Sequence, residues 1–101
     1  MQSIIHHHFG EPVDVLEAAD DMPQPEPKAG EVRIKMILSP MHNHDVWTLR
    51  GSYGYKPTLP AIGGSEAVGV IDALGEGVQG VSVGQRVAVA AVHGSWAEYF
   101  I

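Results

Sequence analysis

The chain has 101 residues, enough for one small domain around one core, and at 45% hydrophobic with 12 Gly and 7 Pro it reads as globular and rich in turns, not disordered. Its net charge is −6 and its six Lys and Arg are scattered, which excludes the basic stripe that nucleic acid requires. Cysteine is absent, which excludes disulfides and thiolate zinc sites.

Residues 2–9 and 13–18 read as two short strands around the turn "FGEP". Within the first, His6-His7-His8 is too short for a tag, and as strand residues its side chains alternate faces and do not converge on one metal. "MQSIIHHHFGEP" lacks the basic start and small-residue cleavage site of a secretory signal. No apolar run approaches the roughly 18 residues of a membrane span. The expected compartment is the cytoplasm.

"DDMPQPEPKAGE" (20–31) reads as a surface loop, because its prolines cannot donate ladder hydrogen bonds. "EVRIKMIL" is the clearest strand: Val32, Ile34, Met36 and Leu38 alternate with Glu31, Arg33 and Lys35, a period of two with one buried face. "NHDVWTLRG" reads as a short helix with Asn43 or His44 as N-cap, Val46 and Leu49 on one face and Gly51 at the stop. "SYGYKPTLPAIGG" (52–64) reads as an irregular loop. "SEAVGVIDALG", "QRVAVAAV" and "SWAEYFI" are three more strands divided by glycine turns. Several strands with one short helix predict a small open β-barrel or sandwich, not a βαβ sheet.

"GEGVQG" (75–80) matches the dinucleotide-binding spacing letter for letter. In such a site the last glycine lies in a helix whose N-terminus holds the pyrophosphate. Here the β-patterned "VSVGQRVAVAAV" follows, so the segment is expected to be a turn between strands. The chain then has no nucleotide-binding half of its own.

His42-Asn43-His44-Asp45 raises the question of metal. In an extended chain His42 and His44 point to opposite faces; in a helix they sit about 200° apart. Neither arrangement chelates one ion easily, and a third ligand has to come from Glu66 or His93. The plainer reading is a polar helix start, with Asp45 in a first turn where the helix dipole favours negative charge.

The ordered series "HNHDVWTLRGSYG", "LPAIGGSEAVGVIDALGEGV", "VGQRVAV" and "GSWAEYF" resembles the N-terminal catalytic domain of the medium-chain dehydrogenase/reductase superfamily, over essentially the whole chain. That is the GroES-like domain of zinc alcohol dehydrogenases, quinone oxidoreductases and enoyl thioester reductases. The resemblance implies a mainly β fold, a GroES-like partly open β-barrel with one short helix. It implies that a Rossmann domain follows this one in the family, carries NADP(H) or NAD(H), and forms the active-site cleft with it. On that reading residues 1–101 are an expressed fragment or a truncated product, inactive alone.

The branches differ at the site. Zinc alcohol dehydrogenases carry Cys where this chain has His42, and Gly-His-Glu where it has Gly64-Ser65-Glu66; serine rarely binds zinc. The zinc-free enoyl thioester reductases carry Asn-Pro-Ser-Asp, then Gly-x-Tyr-Gly, then Leu-Pro-Ala-x-Gly-Gly-x-Glu. The matching pieces here are Asp45, "GSYG" and "LPAIGGSE", with His-Asn-His replacing Asn-Pro-Ser.

Tyr53 falls where that zinc-free family keeps its catalytic tyrosine. A phenol, with an ordinary pKa near ~10, stays protonated at neutral pH and can donate a hydrogen bond to a developing enolate oxygen. Tyr55 is a rival two positions on. His42 and His44 are the accompanying catalytic candidates. Asn43, Asp45, Trp47, Ser65, Glu66 and His93 are expected to line or support the cleft. Trp47 and Trp96 are more often core residues, and His93 is equally at home in an exposed loop.

The expected function is hydride transfer from NAD(P)H to an activated C=C or C=O bond of a small-molecule substrate, without catalytic zinc. A homodimer is admissible for the full-length protein; nucleic acid and membrane partners are not expected. Two alternatives stay open: a zinc alcohol dehydrogenase with His42 (and Glu66) as variant ligands, and a stand-alone barrel acting as a binding or assembly module, since the fold is shared with the co-chaperonin ring subunit.

Overall fold

The computed structural model describes Met1 to Ile101. The elements run β1 (Ser3–His6), α1 (Pro12–Val15), β2 (Glu17–Ala19), β3 (Val32–Leu38), α2 (Asn43–Arg50), β4 (Ala61–Ile62), β5 (Glu66–Leu74), β6 (Arg86–Ala90) and β7 (Tyr99–Phe100). Two antiparallel sheets form, in the orders β2-β1-β4 and β6-β5-β3-β7. An isolated bridge between Ser3 and Ala97 ties them together, reinforced where the Ile4 amide donates to the Trp96 carbonyl at 2.9 Å. The sheets do not close on each other, so the molecule is the mainly β, partly open architecture that the resemblance implied.

The core lies against the larger sheet. Ile34, Ala67, Ile71 and Phe100 are buried together, with Val32, Met36, Val87 and Val89 packed on them. The period-two pattern of β3 therefore holds from Val32 to Met36. It fails at Leu38, which is 69% exposed. Register shifts between Arg33 and Ile34 and between Met36 and Leu38 turn the end of the strand outward. Arg33 makes a bidentate bond to Asp72 of the neighbouring strand, at 3.0 and 3.2 Å, and also reaches Glu26 at 3.1 Å. These bonds pin the proline-rich loop to the sheet, and the Asp72 hydrogen bonds hold the Arg33 guanidinium above its ordinary pKa.

Several expectations need correction. Residues 13–18 are not one strand: Pro12 starts a single helical turn, preset by its fixed φ, and β2 begins only at Glu17. The chain thus has two short helices instead of one. The N-cap of α2 is His42, not Asn43 or His44. β1 ends at His6, so His7 and His8 lie beyond the strand. The loop 52–64 contains β4, which pairs with β1 and sets His6 opposite Ala61. "GEGVQG" is a turn, as expected, with Gly77 and Gly80 at φ +79° and +85°.

Ile71 and Leu38 look alike in the sequence pattern but not in the fold. Ile71→Ala is expected to cost about 2–5 kcal/mol, and Leu38→Ala no more than about 0.5 kcal/mol. Urea unfolding of both variants checks this, and equal losses would mean that the outward turn of β3 is wrong.

Candidate active site

The site begins at the N-terminus of α2. Asp45 is 5% exposed and its Oδ2 accepts the His42 amide at 2.9 Å, which satisfies an otherwise unpaired donor of the helix start. Leu49, one turn on, is also buried, so these two side chains define the inward face. The helix stops at Gly51, whose φ of +77° suits a residue without Cβ. Gly51 sits under the Phe9 ring, and Arg50 clasps Glu11 at 3.0 Å. The "FGEP" turn thereby fixes the far end of the helix.

The opposite side of the site comes from Gly63-Gly64-Ser65. A Cβ at Gly63 would run into the Trp96 ring, and Gly64 has φ +96°. The carbonyls of Gly63, Gly64 and Ser65 accept the amides of Trp96, Gly94 and Val92 at 2.9, 3.0 and 3.1 Å. This close packing delivers Ser65 to α2. Its hydroxyl donates to Asp45 Oδ1 at 2.8 Å, and His44 Nε2 lies 2.7 Å from the same Oγ. A hydroxyl has one proton, and it goes to the carboxylate. His44 must then donate from Nε2, which fixes its neutral tautomer. His42 also donates from Nε2, because its partner at 2.9 Å, Glu66 Oε2, is a carboxylate oxygen that only accepts.

Above this network the rings form a column. His42 and His44 stack at 5.0 Å, His44 and Tyr53 at 5.7 Å, and Tyr53 tilts against Trp47 at 6.1 Å. Tyr53 is 42% exposed and its hydroxyl has no protein hydrogen-bond partner. A second pair, Tyr55 and His93, stacks at 3.8 Å with 14° between the ring planes.

An open cleft of about 520 Å³ runs beside these residues. His44, Asp45, Tyr53, Ser65 and His93 line it; His42, Asn43, Trp47 and Glu66 do not. Asn43 is exposed and makes no side-chain hydrogen bond. Of the two tryptophans, Trp96 is core at 8% exposure and Trp47 is a surface ring at 46%.

Two further rings line the cleft. Tyr55, in sequence only a rival to Tyr53, shares the cleft wall with His93. His6, in sequence only a strand residue, is 1% exposed and reaches the cleft wall. Its Nδ1 donates to the His8 carbonyl at 2.9 Å. Nothing local marks His6, because its burial comes from pairing with β4, a strand that pattern did not reveal.

The donor set does not suit a metal held by this chain alone. No three His, Asp or Glu side chains converge on a common point. The Nε2 atoms of His42 and His44 are directed to different acceptors, Glu66 and Ser65.

Residues 28–101 match the alcohol dehydrogenase GroES-like domain family. The chain belongs to this family. It is 33% identical over 97 residues to the mitochondrial enoyl-acyl-carrier-protein reductase of Homo sapiens, covering 95% of this chain and 26% of that protein. It is 38% identical over 90 residues to an alcohol dehydrogenase of Moraxella sp. (strain TAE123), covering 89% of this chain and 25% of that protein. Among solved structures, the Escherichia coli quinone oxidoreductase complexed with NADPH superposes with a TM-score of 0.89 at 28% identity, covering 99% of this chain and 30% of that one. These relatives are oxidoreductases of the medium-chain dehydrogenase/reductase superfamily. This GroES-like domain spans about a quarter of the length of the curated relatives it matches. No helix in it is long and apolar enough to cross a membrane.

Asp45 joins helix start, Ser65 and domain core, so its loss leaves a half-buried amide and a hydroxyl without this acceptor. Asp45→Ala is expected to cost about 2–3 kcal/mol and Ser65→Ala about 1 kcal/mol, with the double variant less than additive. Chemical denaturation of the three variants measures this. Strict additivity would mean that the two side chains do not share a bond.

Proposed function

We propose that this domain forms the substrate side of a nicotinamide-dependent reductase acting on an activated C=C or C=O bond. The observation that carries the reading is Tyr53: a ring held in the cleft by His44 and Trp47, with a hydroxyl that no protein atom engages. Such a hydroxyl is available to donate to an oxygen that gains negative charge. When bound, the nicotinamide supplies the hydride; on this reading it comes with a further domain of a longer polypeptide, and NADPH is the favoured form. The NADPH complex of the Escherichia coli relative supports that choice by analogy.

The residues around Tyr53 divide the tasks in this reading. Tyr53 stabilises the substrate oxygen. His44, its ring set by Ser65 and Asp45, keeps the phenol in place and presents a fixed imidazole edge. Glu66 orients His42 behind them. The reaction is read as zinc-free, because the position that would have to hold the metal carries a serine already hydrogen-bonded to Asp45.

In the natural full-length polypeptide, Tyr53→Phe is expected to lower kcat by about one to three orders of magnitude, the range for losing one oxyanion donor. Following NADPH consumption with enones, quinones and enoyl thioesters tests this, and an unchanged kcat removes Tyr53 from the mechanism. Dialysis against a chelator is expected to leave activity intact. Stoichiometric zinc that leaves together with activity would instead establish a variant-ligand zinc enzyme built on His42.

A further inference from the structure

The Tyr55–His93 pair is not used by the chemistry proposed above. Tyr55 lies in the loop after α2, and His93 lies in the turn that leaves β6, next to Ala91 (φ +58°) and Gly94 (φ +97°). Nothing in the chain between them makes them neighbours; the tertiary fold brings two separate loops together at the cleft wall. Their rings lie 3.8 Å apart and within 14° of parallel, closer and flatter than any other ring pair in the molecule.

Both residues are exposed, and Tyr55 keeps 40% of its surface open. Stacked rings cover each other's inner faces. What remains open is therefore their outer faces and edges, along the cleft that also holds Tyr53 and His44. Neither side chain makes a hydrogen bond to the protein. Two flat, polarizable surfaces thus stand in a binding cleft without a polar task of their own. A flat conjugated ligand extends such a stack by one ring, whereas a saturated or linear chain gains only the area it covers.

We propose that Tyr55 and His93 determine specificity, selecting planar conjugated acceptors over linear enoyl chains. This rests on the reductase reading given above and narrows its substrate class. The pair would act on binding and leave the proton donor and the hydride step untouched, so its signature lies in KM and not in kcat.

The experiment compares wild type, Tyr55→Leu and His93→Leu in the natural full-length polypeptide, with 1,4-naphthoquinone and crotonyl thioester as paired probes. Loss of a stacking ring is expected to raise KM for the quinone by about 2- to 12-fold, with kcat and the thioester KM unchanged. Tyr55→Phe, which keeps the flat ring, is expected to restore the quinone KM. Equal changes for both probes, or loss for Tyr55→Phe as large as for Tyr55→Leu, would overturn the proposal and make the pair a clasp between loops. If the wild type oxidises no NADPH with either probe, the reductase reading fails. The stack is then read directly: naphthoquinone should still shift Tyr55 and His93 ring resonances in NMR titration, weakly or not at all in the leucine variants, and no shift in wild type overturns it.

Discussion

A buried carboxylate is the constraint on which the candidate site depends. Asp45 is 5% exposed, and taking such a group out of water is unfavourable unless hydrogen bonds replace the lost hydration. Here the His42 amide and the Ser65 hydroxyl do so at 2.9 and 2.8 Å. Because Ser65 gives its single proton to Asp45, it can only accept from His44. One buried charge thus sets the start of a helix, the position of a loop serine and the tautomer of an imidazole. That imidazole in turn carries Tyr53 on its face.

The two sides of this arrangement are held by backbone. On one side, the helix is bounded by Asp45 at its start and Gly51 at its end, and the end is fastened to the "FGEP" turn by Phe9 and Arg50. On the other, Gly63 and Gly64 let the chain pass directly against Trp96, where any side chain would collide. The glycine side sits where the two sheets meet, next to the Ser3–Ala97 bridge and the hydrogen bonds around Trp96. An open seam between sheets leaves a cleft; a closed barrel would have filled it with side chains.

Much of the polar equipment in and around the cleft is ring-shaped. Histidine and tyrosine both present flat faces together with a hydrogen-bonding atom. Four rings form one column and two form a separate stack, so the same residues that supply donors also supply stacking surface.

The sequence by itself determined the class of the molecule. Period-two alternation marked β3 and β6, glycines marked the turns, and the ordered motifs identified the GroES-like family, because these are local signals in which residue type and backbone state go together. It also singled out Tyr53, His42 and His44 as catalytic candidates and Asn43, Asp45, Trp47, Ser65, Glu66 and His93 as their supports. Tertiary structure decided what those residues do to one another. Leu38 left the core because of a register shift, a property of two paired strands. His6 became a cleft residue because β4, two residues long, paired with β1. Tyr55 found His93, and Ser65 found Asp45, across loops distant in sequence. Contacts of that kind are fixed by packing and by the satisfaction of buried polar groups, and neither leaves a periodic trace along the chain.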